Sequence, residues 1–238
     1  VENNKTYMVM SAPTLLKENQ ANSRLSISFI MVAITITRAV TAMQLPLDID
    51  TIKGFLDPAE GEALYQRVIE TAYLGPCLEV GSYCGKSTVY LGAAAKSVNG
   101  LVYAVDHHRG SEEHQLGEEY HDPDLYDSGE ALMDSFKVFR RTMRQAQLEE
   151  HVVPIVSPST VAARQWATPL GMVFIDGGHS WEAALNDYRS WVAHIRPGGI
   201  LAIHDIFPNP AEGGQAPYDI WKLAKASGLF EELPMVKT

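Results

Sequence analysis

Cysteine is scarce: Cys77 and Cys84 are the only two in 238 residues. Two thiols build neither a disulfide framework nor a four-thiolate zinc site. Both read as free thiols of a reducing compartment, so the cytoplasm is the expected location. Basic residues are also in deficit, 19 Lys and Arg against 29 Asp and Glu, for a formal net charge of −10. That sign argues against a nucleic-acid partner, because phosphate backbones are held by clustered Lys and Arg. Long apolar runs are missing too. The stretch Leu25–Thr37 falls short of the ~20 residues a membrane helix needs, and Arg38 closes it. No membrane partner is expected. Val40–Ala42 loosely resembles a signal-peptidase site behind a weakly basic flank (Lys17, Arg24), which leaves export as the alternative location. There is no internal repeat and no low-complexity tract.

What is present is a core. Hydrophobic residues make up 46% and charged residues 20%, enough for one packed domain of ordinary size. Residues 1–50 read as an N-terminal extension, and residues 51–238 as the domain. From Asp57 the pattern is regular. Asp57 is placed to cap a helix that Pro58 opens, with Leu64, Val68, Ile69 and Ala72 at helical spacing. Short apolar runs then alternate with helical stretches: strands at "PCLEVG", "GLVYAVD", "HVVPIVS", "GMVFIDGGH" and "ILAIHDIF", with "RPGG" as a turn. Strands without polar alternation, separated by helices, predict a Rossmann-like, doubly wound α/β fold. Its sheet is mostly parallel, with helices on both faces.

In such sheets ligands bind beyond the carboxyl ends of the strands. Glu79–Gly85, Asp106, Ser157, Asp176–His179 and His204–Asp205 all fall there. "EVGSYCGKST" (79–88) holds Gly85-Lys86-Ser87, which alone would suggest an ATP site. The P-loop, however, requires four residues between its first glycine and the Gly-Lys pair, and only Ser82, Tyr83 and Cys84 stand between Gly81 and Gly85. The glycines do not fit a dinucleotide fingerprint either. Asp106, ending the second strand, suits the two hydroxyls of a ribose. A nucleoside without a pyrophosphate is suggested, and S-adenosylmethionine fits, with Glu79 offsetting its cationic end.

"LEVGSYCGKSTVYLG" resembles motif I of class I methyltransferases that use S-adenosylmethionine. "FIDGGHSWEAALNDYRSWVAHIRPGGILAIHDIF" resembles the later strands of the branch that includes macrocin-type sugar and catechol-like O-methyltransferases. The resemblance runs over about residues 57–236. It implies O-methyl transfer to a hydroxyl of a small molecule (a sugar, a polyketide or a phenol), as in secondary metabolism. It implies cofactor contacts at Glu79, Gly81, Tyr83, Gly85, Ser87, Asp106, His107, Ser157 and Asp176. It also implies Mg²⁺ held by Asp176 and Asp205, with His204 where relatives carry a third ligand, and His179 as general base beside Asp176. A catalytically inactive binding module on the same fold is the alternative.

Three further expectations concern the periphery. The polar segment His107–Ser135 reads as a lid over the substrate. Tyr218 and Trp221 are candidates to line the acceptor pocket. The resemblance implies one more antiparallel strand after "FEELPMVKT", and either the β-branched segment 25–37 or a second subunit in a homo-oligomer would cover that edge.

Overall fold

In a computed structural model of the chain, described for residues 8–11, 43–118 and 120–236, the predicted alternation is realised. The strands are β1 (Met8–Ser11), β2 (Cys77–Val80), β3 (Val102–Asp106), β4 (Tyr126–Asp127), β5 (Leu132–Met133), β6 (Val152–Val156), β7 (Leu170–Ile175), β8 (Ile195–Ile203) and β9 (Glu231–Glu232). The helices are α1 (Pro58–Thr71), α2 (Lys86–Ser97), α3 (Phe136–Gln145), α4 (Ser159–Ala162), α5 (Trp181–Trp191) and α6 (Ala216–Ala226). The main sheet runs β6-β3-β2-β7-β8-β1-β9, and its first five strands are mutually parallel.

The core explains the sandwich. All of β2 and all of β7 are buried, as a strand covered on both faces requires. Met172 and Phe174 point to the layer of α1, α2 and α3, while Val173 and Ile175 point to that of α5 and α6. Local signals set the helix starts. Asp57 and Glu60 form a reciprocal capping box at α1 with Pro58 behind the cap, and the Ser180 hydroxyl accepts from the Ala183 N–H at α5.

Two features differ from the sequence reading. "RPGG" lies within β8 rather than forming a turn. The register jumps from Leu170↔Ile195 to Met172↔Ile200, so residues 196–199 are a bulge that Gly198, at φ +85°, accommodates. The antiparallel slot is filled by β1, which pairs with β8 on one side and β9 on the other. The segment 25–37 lies outside the described residues.

The connection after β3 is folded onto the domain. Leu125 and Met133 pack with Cys84 in a small separate core. The Lys53 ammonium donates to Asp122 at 2.6 Å and Asp124 at 2.8 Å, tying this segment to the stretch before α1. Tyr218 and Trp221 stack on each other at 5.3 Å within the α5–α6 layer and line neither cavity described below. Among the described residues no helix is long and apolar enough to cross a membrane.

One residue sets how closely the central strands end. A Cβ on Gly81, at φ +89°, would lie 2.0 Å from the Asp176 carbonyl oxygen, a backbone atom that cannot move aside. Gly81→Ala is therefore expected to cost about 2–4 kcal/mol from overpacking and left-handed strain combined, read as a lowered Tm and urea midpoint.

Candidate active site

The last rungs of the parallel ladder gather three strand ends. Gly81 N–H donates to Val105 O, Asp176 N–H to Val80 O, and His204 N–H to Ile175 O, at 2.9–3.0 Å. Beyond them lie two cavities. The first, about 380 Å³, is lined by Gly81, Tyr83, Asp106, His107, Ser157 and Asp187, among others. The second, about 500 Å³, is lined by Phe55, Ser87, Tyr120, His204, Asp205 and Phe207, among others. Gly81, Tyr83, Glu113, Asp176, Gly177 and His179 belong to both walls. The cavities meet there.

Asp106 organises the first cavity. Its carboxylate accepts from the Tyr83 N–H at 2.8 Å and the His108 N–H at 2.7 Å. Both donors sit at positive φ, 46° and 59°, so the carboxylate holds two turns that side chains rarely adopt. His107 lies on the wall with its Nδ1 accepting from the Arg109 N–H. Ser157, just after β6, lines the same cavity.

Glu79 lies beneath the turn and in neither cavity wall. It is fully buried, and its two oxygens accept from the Ser87 and Thr88 hydroxyls at 2.5 Å each. Burial pushes its carboxyl up to about 8, against the opposing pull of those two hydroxyls. The residue expected to face the ligand's cationic end instead anchors the start of α2 to β2. Gly85 is also turned away from the ligand space. It caps α2 in the left-handed conformation, and a Cβ there would meet Met143 and Phe139 of α3. Ser87 keeps a place on the second cavity's wall while donating to Glu79.

At the junction, Asp176, His179 and Asp205 offer ligand atoms that all lie within 4.8 Å of one another. His179 Nε2 is 3.1 Å from Asp205 Oδ2, and its Nδ1 is 3.3 Å from Glu113 Oε2. Burial works against the charged ring, but Asp205, Glu113 and Asp176 together hold its pKa above the ordinary histidine value. The two carboxylates fit a divalent cation such as Mg²⁺ or Mn²⁺, with the imidazole beside them.

His204 does not stand in that group. It is buried behind the carboxylates, with Nε2 3.3 Å from Glu60 Oε2 and Nδ1 3.0 Å from Asp176 Oδ1 and 3.4 Å from Asp205 Oδ2. Burial disfavours its charge, yet Asp176 and Asp205 raise its pKa well above the usual range. Its nitrogens lie against protein carboxylates, so of the three residues expected to hold the metal (Asp176, Asp205, His204) only Asp176 and Asp205 reach the junction, where His179 joins them.

Several residues escaped the sequence reading. Asp187 lines the first cavity, and burial pushes its carboxyl up to about 6, opposed by a hydrogen bond from Ser159. Ser159 Oγ in turn accepts from Trp191 Nε1 at 2.7 Å. Nothing local in "ALNDY" marks Asp187 as buried. Glu60 had a signal, its capping-box position, but none for its second partner.

A family model described as a methyltransferase domain matches residues 78–206, more than half of the chain. Among solved structures, the O-methyltransferase NovP superposes with a TM-score of 0.55 at 16% identity, covering 71% of this chain and 72% of that one. TomG from Streptomyces achromogenes, an O-methyltransferase in tomaymycin synthesis solved with SAM, gives 0.51 at 14% identity, covering 72% and 70%. The O-methyltransferase from Bacillus cereus, solved with SAH, gives 0.51 at 16%, covering 77% and 81%. At these identities the structural likeness establishes the fold.

The Glu79 environment generates a pH dependence. Its pKa is raised on folding, so the stability it contributes is fully present at low pH. That stability is lost as pH climbs past the ordinary carboxylate value toward about 8, because the unfolded chain releases the proton first. Glu79→Gln keeps the shape without titrating. Urea unfolding is expected to show wild type losing ground to the variant between about pH 5 and 8.

Proposed function

We propose that this chain, which belongs to the methyltransferase-domain family, moves a methyl group from S-adenosylmethionine to a hydroxyl of a small molecule. The supporting observation is the shared wall: two cavities of ligand size meet at Asp176 and His179. The cofactor takes the first. Its ribose hydroxyls donate to Asp106, whose oxygens retain lone pairs beyond the two backbone bonds, and its adenine lies toward Ser157. Tyr83, on both walls, separates nucleoside from acceptor.

The acceptor takes the second cavity and presents its hydroxyl at the junction. The oxygen attacks the methyl carbon in line with the departing sulfur. The C–O bond forms as the C–S bond breaks, and the sulfonium becomes a neutral thioether. His179 accepts the hydroxyl proton, and Asp205 and Glu113 hold the resulting imidazolium. Asp176 and Asp205 would hold a divalent cation, which when bound lowers the pKa of the hydroxyl beside it. Most of the acceleration comes from alignment of two bound molecules.

Calorimetry is expected to show S-adenosylmethionine binding and no ATP binding. Labelled methyl should pass to a member of a hydroxylated panel of sugars, polyketides and phenols. His179→Ala should lower kcat by about 10²–10⁴ while keeping Mn²⁺ binding, and EDTA should suppress transfer until Mg²⁺ or Mn²⁺ is returned. Cofactor binding without transfer to any acceptor would instead mark an inactive binding module. Loss of Mn²⁺ binding in His179→Ala would make the histidine a ligand rather than the base.

A further inference from the structure

We infer that Glu60 and His204 act as a positioning pair that fixes the two metal-facing carboxylates from behind. The inference rests on the reading above that Asp176 and Asp205 hold a divalent cation. Glu60 is the third residue of α1 and is wholly inaccessible, as is nearly all of His204. One Glu60 oxygen, Oε2, accepts from the Asp57 N–H at 3.0 Å and lies 3.3 Å from His204 Nε2. The ring's other nitrogen, Nδ1, lies 3.0 Å from Asp176 Oδ1 and 3.4 Å from Asp205 Oδ2, close contacts without hydrogen-bond geometry. A buried line of contacts therefore runs from the helix cap through the ring to the junction of the two cavities.

The geometry gives each member a task. The Glu60 carboxylate is held by the cap, so it fixes the His204 ring plane. The ring then restrains one oxygen each of Asp176 and Asp205, which otherwise sit on the ends of different strands. Asp205 Oδ2, the oxygen that the ring addresses, is also the one 3.1 Å from His179 at the junction, while its Oδ1 is buried. Asp205 is itself at φ +54°, a conformation that persists only where the surroundings enforce it. Outer partners of this kind commonly control metal affinity 10–100-fold.

The pair is distinguishable from a merely structural contact by what its loss changes. Glu60→Leu keeps much of the bulk but removes the acceptor that holds His204 Nε2 and so frees the ring. His204→Gln removes the bridge to the aspartates. Manganese titration followed by electron paramagnetic resonance, on full-length protein without acceptor, is the measurement. Calorimetry with S-adenosylmethionine on the same samples is the control. Each variant is expected to weaken Mn²⁺ binding about tenfold or more while cofactor affinity stays within about twofold, and the double variant to be little worse than the worse single one. Unchanged Mn²⁺ affinity in both variants overturns the pair. Parallel loss of Mn²⁺ and cofactor binding also overturns it, as a general folding defect. If wild type binds no Mn²⁺ yet transfers methyl, the metal reading fails and takes the pair with it, while the methyltransferase reading stands.

Discussion

The close backbone approach of β2 to β7, where Gly81 faces the Asp176 carbonyl, is the constraint on which the site depends. A side chain at position 81 would push the two strand ends apart. The ladder bonds from Asp176 and His204 would then stretch with them. Because the approach is tight, the turn after β2 and the turn after β7 present their atoms to one space. Gly81, Asp176 and Gly177 form the ridge where two cavities meet. A donor and an acceptor can be brought into line only across a thin ridge.

That ridge is surrounded by turns that the chain would not adopt unaided. Tyr83, His108 and Asp205 all have positive φ without being glycine, at an expected cost on the order of 1–3 kcal/mol each. Asp106 compensates two of them by accepting both backbone N–H groups. Its carboxylate is thus structural and ligand-facing at once. Substituting it would disturb the glycine turn as well as any ribose contact, so its loss reports on both.

How much of this was legible follows from the range of each interaction. The five parallel strands and most helices were readable because periodicity, caps and the strand-end glycines act within a few residues. The convergence of the positions after β3, β6, β7 and β8 on one crevice followed from topology alone. What escaped depends on partners far apart in the chain. Glu60 and His204 are 144 residues apart, and neither "DPAEG" nor "AIHDI" shows that they meet. The slot filled by β1 pairs residues 8–11 with 200–203. Glu79 was correctly placed at the strand end but wrongly aimed. Alternation along β2 says that a residue faces a helix layer, and the hydroxyls of Ser87 and Thr88 that claim it come from the next turn of chain.

Charge explains why the site is arranged in depth. Glu60, Glu79, Asp106, Asp176, Asp187 and Asp205 converge within one end of the sheet, and several are buried. Uncompensated, such a cluster would cost several kcal/mol per ion. The fold meets that cost in layers. Glu79 and Asp187 are pushed toward their neutral forms by burial. Glu60 pairs with His204, and His179 stands between Asp205 and Glu113. The carboxylates of Asp106, Asp176 and Asp205 line the cavities. These are the places where a sulfonium cofactor and a divalent cation would each bring positive charge. The deeper layers therefore neutralise themselves, and the outer one keeps a negative field for cationic ligands.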